Sequence, residues 1–250
     1  MKINVLTLFP EMFEPVVEGS ILGRAQKKGL LEVKLINIRD FSQDKHKKAD
    51  DYPFGGGVGM VMMADPVFRA MDSVNAKGKK AIYMSPRGKI INRQKIQELS
   101  EEEEITILCG HYEGIDERII EYWNMEELSI GDYVLTGGEL PAMVLIDAVA
   151  RFIPEVLSGE ASAQEESVYS GLLEYPQYTK PREYMEMPVP EVLLNGNHKL
   201  IALWKFRKSL EITLERRPDL FEKYVREHSD SLSRDELKIL KEVESTAKKV

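Results

Sequence analysis

The stretch Leu128-Ser129-Ile130-Gly131-Asp132-Tyr133-Val134-Leu135-Thr136-Gly137-Gly138-Glu139 decides the architecture. Its opening apolar run, Leu128–Ile130, reads as a short buried strand, and the apolar pattern from Glu139 to Phe152 reads as a helix. Gly137 and Gly138 then close the strand and open the helix, where free backbone N–H groups can come close to a ligand. A tight strand-to-helix turn is the plainer reading of the same pair. Toward the amino end the unit repeats. Apolar or β-branched runs at Ile3–Leu8, Leu31–Ile38, Ala81–Met84 and Ile105–Cys109 alternate with helical patterns around Glu11–Lys27, Pro66–Asn75, Arg93–Leu99 and Asp116–Tyr122. This alternation predicts an α/β domain, a parallel sheet with helices on both faces. Ligands in such folds bind where strands end, which singles out Ser85-Pro86-Arg87-Gly88, Cys109-Gly110 and Thr136-Gly137-Gly138.

Toward the carboxyl end the character changes. Residues 158–170 begin with Ser158-Gly159-Glu160-Ala161-Ser162-Ala163-Gln164-Glu165-Glu166-Ser167, which is small, polar and acidic without apolar periodicity, and they read as a flexible linker. Tyr175–Pro190 is rich in proline and tyrosine and reads as irregular. From Leu200 a helical pattern runs through Trp204, Phe206, Leu210, Leu214, Leu220 and Tyr224, with a last stretch from Arg234. The expected organisation is an α/β domain over 1–157, a linker over 158–170 and a small helical domain over 171–250.

Composition narrows the class. In 250 residues, 43% of them hydrophobic, there is material for a sizeable core. No apolar run reaches the eighteen or so residues that a membrane span needs, and Met1–Pro10 lacks the pattern of a cleavable leader, which places the chain in the cytoplasm. The single cysteine, Cys109, cannot form an intrachain disulfide, and four scattered histidines give no zinc-ligand spacing. A net charge of −8 argues against coating nucleic acid through a broad positive field, so any RNA contact must be local. Basic clusters stand at Lys45, Lys47 and Lys48, at Lys77, Lys79 and Lys80, and along Lys199, Lys205, Arg207 and Lys208; ordinary solvated faces look the same.

Single positions carry less. Gly55-Gly56-Gly57-Val58-Gly59-Met60 lacks the Lys-Ser/Thr of a phosphate-binding loop and follows no strand run, so a flexible surface loop competes with a binding role. Glu113 sits between glycines at a strand end, a placement that suits a functional carboxylate, while Asp116 is placed to cap the next helix. Cys109 reads as a small core residue, since no histidine is placed to activate it. Arg151 near the end of an apolar helix reads as a cation at a helix C-terminus.

Taken in order, Leu8-Phe9-Pro10, the Gly55–Met60 loop, Ser85–Gly88, Gly110-His111-Tyr112-Glu113-Gly114-Ile115-Asp116-Glu117-Arg118, Ile130–Glu139 and Asn195-Gly196-Asn197-His198 resemble the bacterial tRNA (guanine-N1)-methyltransferases of the SPOUT superfamily. The resemblance spans nearly the whole chain. It implies a deep trefoil knot in the α/β domain, an obligate homodimer with a shared active site, and S-adenosylmethionine held largely by backbone groups. Carried over, the cofactor residues are Tyr83, Met84, Ser85, Pro86, Gly110, Glu113, Ile130, Gly131, Tyr133, Leu135, Gly137 and Gly138. A branched side chain at Gly138 would then press on the ligand.

The resemblance also implies a reaction, methylation of N1 of the guanosine immediately 3′ of the anticodon in tRNA, which helps maintain the reading frame. Arg151 matches the arginine that stabilises charge on guanine O6, a task suited to a permanently charged fork of donors. The linker aspartate that serves as base corresponds to Glu166, with Glu165 as neighbouring substitute. Glu174, also glutamate where many members have aspartate, is a candidate for substrate or magnesium contact; magnesium in the chemistry stays open. His111 stands where many members carry arginine, and Ala202-Leu203 replaces a basic pair. Phosphate contacts of the anticodon branch then fall to Lys199, Lys205 and Arg207, and His198 is a further candidate for substrate contact. A SPOUT enzyme acting on another RNA site and a non-catalytic RNA-binding relative are the competing readings. A nicotinamide-dependent dehydrogenase is disfavoured because no Gly-x-Gly-x-x-Gly follows the first strand.

Overall fold

A computed structural model describes residues 1–157 and 170–247. The chain divides into two compact units, Met1–Glu160 and Ala161–Val250. The first runs β1 (Lys2–Thr7), α1 (Glu14–Val17), α2 (Ser20–Lys27), β2 (Glu32–Asn37), β3 (Asp50–Asp51), β4 (Val61–Met62), α3 (Ala64–Ser73), β5 (Lys80–Ile90), α4 (Arg93–Ser100), β6 (Glu104–Cys109), α5 (Glu117–Trp123), β7 (Glu126–Ser129) and α6 (Glu139–Ala150). Five strands form one sheet in the order β2-β1-β6-β5-β7, and each neighbouring pair is parallel.

The two-residue period of the strands sorts the core into two clusters, one on each face. Ile3, Val5, Ile82, Met84, Ile105 and Ile107 join one cluster with residues of α2, α4 and α6. Leu6, Ala81, Tyr83 and Leu108 join the other with residues of α3 and α5. Local signals set the helix ends. The Asn92 side chain accepts from Lys95 N at the start of α4, and Asp116 accepts from Arg118 N at the start of α5. Asn124, with φ 47°, terminates α5 in the left-handed region.

The α/β class and its parallel sheet follow the expectation, with three local corrections. The helical pattern over Glu11–Lys27 is broken into a 3-10 turn at Pro10–Met12 and the separate helices α1 and α2, because Pro10 and Pro15 each open a new turn and Gly19 caps the next. Ser85-Pro86-Arg87-Gly88 is not a loop after the strand. It lies inside β5, where pairing with β7 shifts register between Met84 and Lys89. Gly137-Gly138 does not close a strand, since β7 ends at Ser129 and residues 130–138 are irregular.

In the second unit, β8 (Glu183–Tyr184) and β9 (Met187–Pro188) pair antiparallel within the stretch expected to be irregular. Helices α7 (His198–Arg216), α8 (Pro218–His228) and α9 (Arg234–Ala247) follow. Their cluster holds Leu172, Leu210, Phe221, Ile239, Leu240 and Val243. Asn197 caps α7 by accepting from Leu200 N, and Pro218 begins α8. Among the described residues no helix is long and apolar enough to cross a membrane.

Candidate functional site

The middle of β5, where its register with β7 shifts, and the carboxyl ends of β6 and β7 open into a cavity of about 200 Å³. All twelve residues assigned to a cofactor line it: Tyr83, Met84, Ser85 and Pro86 from β5, Gly110 and Glu113 after β6, and Ile130, Gly131, Tyr133, Leu135, Gly137 and Gly138 after β7. The register shift in β5 is what turns Ser85 and Pro86 out of the ladder at this point. Loop 130–138 is drawn onto the end of β6 by a backbone bond, Gly138 N donating to Gly110 O at 2.8 Å.

Glycine is required at Gly138 for a reason the sequence did not disclose. A Cβ there would stand 2.8 Å from Gly110 N and 2.9 Å from Cys109 Cα, so the obstacle is backbone and not a ligand. At Gly110 a Cβ would meet the Tyr83 ring at 2.7 Å. Tyr83 is buried, and that burial pushes its phenol up to about 12. Cys109 beneath the cavity is fully buried, and burial, helped by the Glu139 carboxylate, pushes its thiol well above the ordinary range. It is a protonated core residue, as its sequence context indicates.

Charge is scarce around the cavity, and Glu113 is the one carboxylate among the described residues that line it. The backbone N–H groups of Leu135 and Thr136 have no hydrogen-bond partner among the described residues. Tyr133 and Val134 stand exposed at the rim. A ligand with an apolar body and polar atoms read by backbone donors fits such a lining. Gly55–Met60 forms the turn of the small hairpin β3–β4, so it does follow a strand, of two residues, and Glu113 N donates to Met60 O at 3.0 Å.

The remaining candidates lie elsewhere. Arg151 is the C-cap of α6 and does not line the cavity. The twelve residues of α6 separate it from Gly138 by about 18 Å. Glu165 and Glu166 fall outside the described residues. In the second unit Glu174 is exposed and accepts from Gln177 Nε2 at 2.6 Å, and His198 opens α7 on the surface. Lys199 pairs with Asp235 at 2.7 Å, and Lys205 lies 4.4 Å from the centre of the Tyr175 ring. Arg207 is bound to Glu242 and Lys208 to Glu211. In the first unit Lys47 pairs with Asp40, Lys79 with Glu104 and Lys80 with Glu126.

Two residues that sequence reasoning passed over belong to this region. Glu139 is a carboxylate only 2% exposed, and its Oε1 accepts from Thr7 Oγ1 at 2.8 Å. The available signal was an acid at the first position of a mostly apolar helix, which reads equally well as a complement to the helix dipole.

Fold and cavity together define an α/β protein with a glycine-rich cavity where neighbouring parallel strands give way to loops. The family model described as tRNA (Guanine-1)-methyltransferase TrmD matches residues 1–223. A relative from Ruminiclostridium cellulolyticum named tRNA (guanine-N(1)-)-methyltransferase is 60% identical over 226 residues, covering 89% of this chain and 97% of its own. Relatives of the same name from Clostridium perfringens (strain 13 / Type A) and Staphylococcus epidermidis (strain ATCC 35984) are 52% identical over 242 residues and 56% over 225. They cover 96% and 90% of this chain, and 99% and 92% of their own lengths. The chain belongs to the tRNA (guanine-1)-methyltransferase family.

Proposed function

We propose that this chain is an enzyme that methylates N1 of the guanosine immediately 3′ of the anticodon in tRNA, with S-adenosylmethionine as donor. The observation that carries this reading is the convergence of all twelve expected cofactor residues, drawn from three separate segments, on one cavity in a chain of this family. The lining suits the cofactor because open backbone donors can receive its carboxylate, while Glu113, the single lining carboxylate among the described residues, can face its cationic groups. The cofactor supplies the methyl group on a cationic sulfur.

The chain's own residues do the rest. Guanine N1 carries a proton at neutral pH, so a base must remove it, a role assigned to Glu166 with Glu165 as substitute. Arg151 stabilises the charge that grows on O6. Its distance of about 18 Å from Gly138 along α6 supports a homodimer in which one copy contributes the cavity and the other contributes Arg151 and the linker carboxylate. A trefoil knot formed by the cavity loops, cytoplasmic action, and capture of the anticodon branch by the second unit through Glu174, His198, Lys199 and Lys205 complete the reading.

Nucleoside mass spectrometry of tRNA transcripts incubated with protein and S-adenosylmethionine tests this. The expected product is 1-methylguanosine, lost when the target guanosine is replaced. Methylation that survives the replacement points to another RNA site, and cofactor binding without product points to a non-catalytic relative. Glu166→Gln should lose most transfer while keeping cofactor affinity, because an amide preserves size but cannot take the proton. Near-normal turnover would move the base to Glu165 or beyond.

A further inference from the structure

Beside the cofactor cavity, Glu139, Thr7 and Phe9, which do not line it, close a ring with His111, which does. Glu139 Oε1 accepts from Thr7 Oγ1 at 2.8 Å, and Thr7 Oγ1 in turn accepts from Phe9 N at 3.0 Å. The Phe9 ring packs on the His111 ring with centroids 5.0 Å apart. His111 Nδ1 comes back to within 4.0 Å of Glu139 Oε2. Three segments are joined in this way: the end of β1, the turn after β6 and the first residue of α6.

Gly137 occupies the gap between the last two groups. A Cβ at that position would collide with Glu139 Oε2 and lie 2.6 Å from His111 Nδ1, so the absence of a side chain is what lets imidazole and carboxylate face each other. His111 Nδ1 is buried and has no hydrogen-bond partner among the described residues. Glu139 and Thr7 are buried as well, at 2% and 0% exposure. A carboxylate is retained in such a place only at a cost in desolvation, which its neighbours must offset. Neither Glu139 nor Thr7 lines the cavity, yet His111, a member of the ring, and Gly110, Gly137 and Gly138 beside it all do.

We infer that Glu139 and Thr7 are positioning residues that hold the post-β6 turn and the 130–138 loop in register, so that the cofactor meets a preformed pair of walls. The inference rests on the cofactor reading above and adds to it the device that sets the pocket. Thr7 is the cleaner handle, since valine keeps its shape and removes the hydroxyl, while serine keeps the hydroxyl.

The experiment measures S-adenosylhomocysteine affinity by calorimetry, well below each variant's melting temperature, for wild type, Thr7→Val, Thr7→Ser and Glu139→Gln. Thr7→Val should weaken binding roughly tenfold, the loss expected for a hydrogen bond to a charged group, and Thr7→Ser should restore it to within about twofold. Glu139→Gln should weaken it by an intermediate factor, because the amide still accepts from Thr7. Unchanged affinity in Thr7→Val, or equal loss in the serine variant, overturns the inference. Hydrogen exchange without ligand gives a second arm: amides of residues 110–114 and 130–138 should exchange faster in Thr7→Val and recover in Thr7→Ser, with α7 unaffected. Should wild type bind no S-adenosylhomocysteine, the cofactor reading fails while the exchange arm still decides the positioning role, and unchanged exchange overturns it.

Discussion

The two ends of the parallel sheet are built on opposite principles. At the amino ends of the strands, lysines and carboxylates pair off: Lys2 and Lys79 meet Glu104 at 3.3 and 2.6 Å, and Lys80 and Lys95 meet Glu126 at 2.6 and 2.9 Å. In the cavity lining, one carboxylate, Glu113, and no lysine or arginine stand among the described residues, and the walls are rich in glycine and open backbone. One end spends its side chains on mutual neutralisation, and the other leaves main-chain groups for a ligand. The difference also explains how a chain of net charge −8 can be read as acting on RNA. The lysines nearest the sheet serve the fold, and recognition at the cavity does not depend on a positive field.

The sharpest way to break the comparison is at Gly138. If the carboxyl end is a backbone device, Gly138→Val must push apart Gly138 and the Cys109–Gly110 peptide, which a Cβ would approach to 2.8–3.2 Å. Such overpacking costs about 1–3 kcal/mol or more. Cofactor binding should fall below detection by calorimetry, and the melting temperature should fall with it. Gly138→Ala should do most of the same damage, because the first carbon already makes the collision. Lost affinity with an unchanged melting temperature would return the clash to the ligand, where sequence reasoning had placed it.

That reversal illustrates what was legible. Strands at Ile3, Leu31, Ala81, Ile105 and Leu128 announce themselves because a short run of β-branched and aliphatic residues is a local property. The continuation of β5 through Ser85–Ile90 was hidden, since Pro86 and Gly88 normally end a strand and are tolerated here only because the pairing with β7 is interrupted at that point. The twelve cavity residues came from resemblance, as no periodicity reports that segments 45 residues apart converge. Thr7 and Glu139 were missed for the same physical reason. Their meaning lies in a contact between chain positions 132 apart, and each has an ordinary local explanation.

The opposite end offers a pH test. Glu104 is held down at about 2 by the hydrogen bond from Lys79, with Asn4 and Lys2 adding to it, against an ordinary 4.5. A carboxylate depressed in the folded state stabilises it fully above about pH 4.5, and that contribution disappears as pH falls through about 2. Glu104→Gln should therefore cost on the order of 2 kcal/mol at pH 7, less than full linkage would give because the pairs are partly open to solvent. Denaturant melts of the two proteins should converge between pH 4.5 and 2, with cofactor affinity at pH 7 unaffected. A stability difference that persists at pH 2 would mean that shape, and not charge, matters at Glu104. A loss of cofactor affinity would mean that the two ends are coupled.

The smallest expected effect on stability lies in the second unit, where the rule that paired cations serve the fold should fail. Lys199 is paired with Asp235 at 2.7 Å, but both side chains are largely exposed, and a pair in that setting is screened by solvent and holds little. The lysine gives up almost nothing by exchanging a carboxylate for a phosphate. Lys199→Ala should leave the melting temperature unchanged within error. It should raise the KM for tRNA several-fold at low salt and lower the dependence of KM on salt by about one counterion, the mark of a single phosphate contact. Asp235→Ala provides the complement, because freeing Lys199 from its partner should strengthen tRNA binding with little change in fold stability. If Lys199→Ala instead lowers the melting temperature and leaves KM and its salt slope alone, Lys199 is a structural cation like Lys79 and Lys80, and the proposed tRNA contact of this unit would rest on His198 or Lys205.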